Sequence, residues 1–205
     1  MKRTKKDTRT LSIIVNLVIV GWMAYCVYNM MTKGLEGNME GSKFVAFRYY
    51  TIDSNVFAAL ASLVMLLTRL TKGQPKSFAT NFKFYGTCTV VVTLITVLVF
   101  LGPIMGYRAM FEGDNLYMHL IGPLLCLISF CFLDRGPKLS MKHAGKALIP
   151  TAIYGTLYFF MVIVFKKWPD FYGFNMGGMW YLSFAAMMAG AFIIAVIVKA
   201  LHNDK

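Results

Sequence analysis

Apolar and polar positions divide this chain into long blocks rather than alternating within short ones. Six stretches carry almost no charge: Leu11–Met31, Tyr50–Leu70, Phe84–Ile104, Leu116–Leu133, Ala147–Phe165 and Met179–Leu201. Each is close to the about 20 residues that a helix needs to cross the hydrocarbon of a bilayer. In lipid a backbone must satisfy its own hydrogen bonds, so such stretches span as helices. The dyad alternation of a membrane barrel is absent. The pattern predicts an all-α integral membrane protein, a six-transmembrane-helix bundle forming a single domain over residues 1–205. Short polar connections leave no room for a separate soluble domain, and no internal repeat suggests an inverted-repeat transporter. Gly73-Gln74-Pro75 and Gly136-Pro137 punctuate two connections, and Gly102-Pro103 marks the end of the third span. Gly122-Pro123 falls inside the fourth, where the missing proline N–H predicts a kink.

Composition agrees: 58% of residues are apolar and only 15% charged. The placement of the charges adds orientation. Lys2, Arg3, Lys5, Lys6, Arg9, Arg69, Lys72, Lys76, Lys83, Arg135, Lys138, Lys142, Lys146, Lys199 and Lys205 fall on one side of the six spans. Lys33, Lys43, Arg48, Arg108, Lys166 and Lys167 fall on the other. The excess predicts that both the N- and C-termini are cytoplasmic. It also accounts for the whole net charge of +12, because the acidic residues of the other side balance its six bases. The charge is therefore an orientation signal and a contact for membrane lipids, and it argues for no nucleic acid partner. The first apolar run is too long for a signal-peptide core and lacks a cleavage site, so it reads as a retained helix. Cys26, Cys88, Cys126 and Cys131 all lie inside spans without a Cys-x-x-Cys pair, and read as small buried residues. Trp168, Tyr172, Trp180 and Tyr181 gather where an outer aromatic belt belongs.

In such a chain the informative residues are polar ones that a span should not contain. The second span opens Tyr49-Tyr50-Thr51-Ile52-Asp53-Ser54-Asn55. Thr51, Ser54 and Asn55 stand at i, i+3 and i+4 and share one helix face. Capping or interhelical hydrogen bonding explains Ser54 and Asn55 as well as any chemistry does. Asp53 points elsewhere, and its carboxylate is expected to face water or Arg48. His119 is the one histidine inside a predicted span, whereas His143 and His202 lie in basic segments and are expected to be solvated. With an unperturbed pKa of about 6.5, its imidazole suits a general base or a hydrogen-bonding strut. The second and fourth spans both start at the outer face. Thr51 and His119 therefore lie at similar shallow depth, and the two could meet if those helices are neighbours.

Three segments resemble the family of androgen-induced and androgen-dependent integral membrane proteins and their small bacterial relatives. They are Phe47-Arg48-Tyr49-Tyr50-Thr51-Ile52-Asp53-Ser54-Asn55, His119-Leu120-Ile121-Gly122-Pro123 and, more weakly, Trp168-Pro169-Asp170-Phe171-Tyr172-Gly173-Phe174. The resemblance covers nearly the whole chain. It implies a six-helix hydrolase of fatty-acid esters of hydroxy fatty acids, placed in the cell membrane of a bacterium, acting on a lipid or fatty-acyl ester without a cofactor. By matching motif, Thr51 takes the position of the nucleophile and His119 that of the base. Asn55 is an oxyanion-donor candidate one turn from Thr51, with Ser54 and Asp53 as further substrate-binding candidates. A third triad member has no counterpart in these motifs. The competing reading is a non-enzymatic lipid-binding or transport protein using the same polar cluster. A bis-histidine haem needs two intramembrane histidines and a retinal Schiff base an intramembrane lysine, and the predicted spans offer one His and no Lys. No ligand cluster suggests a metal.

Overall fold

The computed structural model describes residues 5–33 and 43–204. Among these, six helices are long and apolar enough to cross a membrane, and there is no strand. They are α1 (Lys5–Lys33), α2 (Tyr50–Lys72), α3 (Ser77–Met105), α4 (Asp114–Leu133), α5 (Met141–Val164) and α6 (Trp180–Asn203). The protein is a multi-pass membrane protein with an all-helical fold.

Successive helices run antiparallel, which gathers alternate helix ends. Arg9 Nε donates to the Arg69 carbonyl at 3.0 Å, and Leu139 N–H donates to Asn203 Oδ1 at 2.9 Å. The start of α1, the end of α2, the segment leading into α5 and the end of α6 thus share one end of the bundle, the lower end. The starts of α2, α4 and α6 form the upper end. Helix α3 is the centre and packs on α2, α4 and α6; α1 packs on α2 and α4, and α5 on α6. The α2–α3 approach is close because Gly86 has no side chain. A Cβ there would lie 2.9 Å from Ala61 Cβ and 3.0 Å from Ala58 Cα, the small-residue contact that lets membrane helices meet.

Every helix outruns the apolar stretch that predicted it at one end or both. The largest extensions are at the starts of α1, Lys5 rather than Leu11, of α3, Ser77 rather than Phe84, and of α5, Met141 rather than Ala147. Basic residues at a span edge do not stop a helix when their side chains can reach out or find partners inside. Lys83 does the second. Expected in a polar connection, it is buried in α3, with Nζ donating to Asn16 Oδ1 at 2.8 Å and to Ser62 Oγ. Asn16 Nδ2 in turn donates to the buried Asp134 carboxylate at 3.0 and 3.1 Å, and Ser12 and Ser129 donate to the same group. A lysine therefore does lie inside the bundle, held by neutral oxygens. His202 also corrects its expectation. It is buried rather than solvated, stacked 4.4 Å from the Phe130 ring with Nδ1 3.3 Å from the Phe130 carbonyl. His143 is half-exposed and forms the capping box at the start of α5 with Ser140. All four cysteines are free and buried.

The two Gly-Pro pairs inside helices, Gly102-Pro103 and Gly122-Pro123, share one device. A five-residue π segment, Val97–Leu101 in α3 and Tyr117–Ile121 in α4, runs up to each. Gly102 N–H bonds the Val97 carbonyl and Gly122 N–H that of Tyr117, one residue further back than in an α-helix. The wider turn takes up the proline that follows, whose ring would strike the carbonyl four residues back. The expected disturbance at Gly122-Pro123 is thus a π turn on which His119 sits.

Candidate active site

The upper end brings the first turn of α2 against the π segment of α4. Thr51 Oγ1 lies 3.2 Å from His119 Nε2, and both side chains are buried. His119 Nδ1 lies 2.7 Å from the Met110 carbonyl, in the short helix Tyr107–Met110 between α3 and α4. A carbonyl can only accept, so Nδ1 carries the hydrogen. The neutral ring then presents its lone pair at Nε2, and the Thr51 hydroxyl donates to it. Hydroxyl, imidazole and orienting acceptor thus stand in the order that a nucleophile, a base and a third member take in a triad, the acceptor here being a backbone carbonyl. Sequence motifs could not point to Met110, because any residue supplies a carbonyl. A lengthwise signal existed: Met110 lies nine residues before His119, and the loop must fold back to place it.

Comparison with protein-family models, curated proteins and solved structures finds no match for this chain. The chemistry of the site therefore rests on its own geometry.

Of the two tasks expected of Asn55, the structure shows interhelical hydrogen bonding. Asn55 Nδ2 donates at 2.8 Å to the Thr51 carbonyl and at 3.0 Å to the Met118 carbonyl. Met118 is the residue whose carbonyl a continuing π turn would pair with the N–H of position 123, and Pro123 has none. Asn55 thus satisfies an acceptor orphaned by proline and ties α2 to the segment bearing His119. Gly122 permits the approach, since a Cβ there would meet Asn55 Oδ1 at 3.2 Å and the Tyr117 carbonyl at 3.0 Å. With both amide hydrogens committed, Asn55 has no donor left for an oxyanion. Ser54 is committed as well: its hydroxyl donates to the Thr51 carbonyl at 3.1 Å and meets Thr93 Oγ1 at 2.8 Å. Asp53 is half-exposed, and its carboxylate makes no hydrogen bond or ion pair among the described residues. Arg48 turns from it, donating to the Tyr49 hydroxyl at 2.8 Å with its guanidinium 5.7 Å from the centre of the Phe171 ring.

Thr51 also lines a cavity of about 400 Å³ enclosed by α3, α5, α6 and the α5–α6 connection. Its walls are mainly apolar, from Val92, Val97, Leu101, Phe174, Met187 and Ile194 among others. His119 does not line it and stands behind Thr51. Tyr172, expected in an aromatic belt, turns into this cavity instead. Its phenol oxygen accepts the Tyr50 N–H, an unpaired donor of the first turn of α2, at 3.0 Å and lies beside Thr51. Burial pushes this phenol up to about 12, although its hydrogen bonding with Tyr154, Tyr50 and Thr51 works the other way. The connection is held by Asp170, whose carboxylate accepts from Tyr158 Oη and from the N–H groups of Phe174 and Asn175 at 2.8–2.9 Å. Among the described residues no group of three or more His, Cys, Asp or Glu is placed to hold a metal ion.

Proposed function

We propose that this chain is an intramembrane hydrolase of fatty-acyl esters, with Thr51 as nucleophile and His119 as general base. The 3.2 Å contact between Thr51 Oγ1 and His119 Nε2, on the wall of an apolar cavity, carries this reading. A threonine hydroxyl is a weak nucleophile unless a base takes its proton as it attacks. His119 is oriented for that by Met110 and cannot turn away without losing a buried hydrogen bond. Thr51 oxygen adds to the ester carbonyl while its proton passes to Nε2. The intermediate collapses, the C–O bond to the alcohol breaks, and the Nε2 proton goes to the departing oxygen. Water, deprotonated by the same Nε2, then releases the fatty acid from Thr51. Thr51 lines the cavity and His119 does not, so an acyl chain entering through the cavity reaches Thr51 without displacing the base.

The reading extends to a bacterial cell membrane with both chain ends cytoplasmic, following the distribution of basic residues. A reporter placed in the α3–α4 connection at Glu112 then reads external. The decisive test uses a fluorophosphonate probe and a 4-nitrophenyl acyl ester on the purified protein. Wild type labels and turns over, Thr51→Ala does neither, His119→Ala is nearly as inactive, and Thr51→Ser keeps part of the activity. A folded Thr51→Ala protein with undiminished turnover would leave lipid binding or transport as the function. The full internal commitment of Asn55 and Ser54 is the observation that favours that second reading, because it removes the two nearest donors from catalysis.

A further inference from the structure

A tetrahedral intermediate on Thr51 needs a hydrogen-bond donor for the oxygen that becomes negative, and the polar groups around the cavity can be taken one at a time. Both Asn55 amide hydrogens are held by carbonyls, and the Ser54 hydroxyl by the Thr51 carbonyl. Ile52 N–H and Asp53 N–H donate to the Tyr49 carbonyl, while Tyr50 N–H and Thr51 N–H are both turned to the Tyr172 oxygen. Of the cavity phenols, Tyr154 donates to the Arg48 carbonyl at 2.7 Å, Tyr158 to Asp170 at 2.9 Å, and Tyr50 pairs with Thr151 Oγ1 at 2.7 Å. Tyr172 differs. Its oxygen is fixed by the Tyr50 N–H, while the acceptors beside its own O–H are the hydroxyl oxygens of Tyr154 and Thr51. A hydroxyl oxygen is a weaker acceptor than a carboxylate or an oxyanion, so this hydrogen can be redirected as charge builds.

We infer that Tyr172 is the oxyanion donor of the proposed reaction, a catalytic residue supplied by the α5–α6 connection to a nucleophile on α2. The assignment rests on the hydrolase reading of Thr51 and His119. As Thr51 oxygen bonds to the carbonyl carbon, the C=O π pair moves onto the carbonyl oxygen, and the Tyr172 O–H turns from Thr51 to that oxygen. No proton is transferred in this contact. Three features suit the phenol to it. It shares the cavity wall with Thr51. It sits at the N-terminus of a 23-residue helix, whose dipole favours negative charge at the same point. It also stays protonated through neutral pH, because burial holds it far above that range. The clamp of Asp170 and Tyr158 keeps it in place, with Tyr172 N–H donating to Tyr158 Oη at 3.1 Å.

The test compares wild type, Tyr172→Phe and protein carrying 3-fluorotyrosine or 3,5-difluorotyrosine at position 172, each assayed with the fluorophosphonate probe and the 4-nitrophenyl ester. Loss of one oxyanion donor predicts that Tyr172→Phe lowers kcat about 10²–10³-fold with KM little changed. Probe labelling slows in parallel. Fluorination makes the phenol a stronger donor without removing it, so kcat rises along the series at neutral pH. A purely structural cap on the Tyr50 N–H would not follow phenol acidity. If Tyr172→Phe is inactive but fluorination leaves kcat unchanged, or if Tyr172→Phe keeps wild-type kcat, the assignment is overturned and Thr51–His119 stands. Wild-type protein inert to both probe and ester overturns the hydrolase reading, and this assignment with it.

Discussion

The two ends of the bundle each bury a polar cluster, and they do so by opposite means. At the lower end Lys83, Asn16, Asp134, Ser12, Ser62 and Ser129 join four helices through hydrogen bonds that satisfy one another, and none of them lines the cavity. Two full charges are inside, bridged by one amide. At the upper end the central pair is neutral, a hydroxyl on an imidazole, and Thr51 lines a mainly apolar cavity. Buried charge is tolerated only when every partner is in place, so the lower cluster has nothing to give a ligand. In the proposed hydrolysis the upper pair gives up only one hydrogen bond between neutral groups, a far smaller cost. Chemistry therefore belongs where hydrogen bonding is interruptible, and the ion-bearing cluster, conspicuous as it is in a membrane, serves as glue between helices.

This contrast can be broken by mutation. The largest effect is expected from Lys83→Met, which removes the cation tied to Asp134 through Asn16, leaves it only the field of buried Arg69, and should cost about 3–5 kcal/mol. Thermal unfolding in detergent measures it, and the loss should be partly relieved in the Lys83→Met, Asp134→Asn pair because neither charge is then left alone. A Lys83→Met protein as stable as wild type would remove the distinction between glue and site. Asn55→Ala comes next. It orphans the Met118 carbonyl and frees the His119 segment, so about 1–3 kcal/mol of stability and most of the turnover should go together. Thr51→Val should cost less than Asn55→Ala in the same unfolding assay, about 1 kcal/mol, while abolishing turnover. The smallest effect belongs to Asp53→Asn, within about 0.5 kcal/mol, since its half-exposed carboxylate has no partner to lose. Severe loss of folded Asp53→Asn protein would show a paired carboxylate there.

How much of this was legible beforehand depends on which physics was involved. The six spans follow from transfer energetics, which act on composition alone, so their existence and order could be read directly. Their ends could not, because Lys83 looks like a solvated residue until Asn16 and Ser62 are known to surround it. Thr51 and His119 could be named, and their equal depth argued, but adjacency of α2 and α4 is a packing outcome with no local signature. Met110 and Tyr172 were missed for two reasons. One acts through a backbone carbonyl, and the other sits in an interfacial segment where a tyrosine is unremarkable. For Asn55 interhelical bonding and an oxyanion role are equally compatible with the sequence, because the choice depends on a hydrogen that Pro123 lacks on another helix, four positions beyond His119 in α4.

The π turn at Tyr117–Ile121 amounts to one residue more than an α-helix would use to cover the same rise. Removing one residue from that segment would restore α geometry within it, leaving the helix above and below in register while side chains inside the turn step round the axis of α4 by up to about 100°. His119 would then look away from α2, and Pro123 would again press on a carbonyl. The meeting of hydroxyl and imidazole is thus written in residue count as much as in residue identity. A chain with both Thr51 and His119 intact, but one residue shorter between Tyr117 and Gly122, would hold the parts of the site without the site.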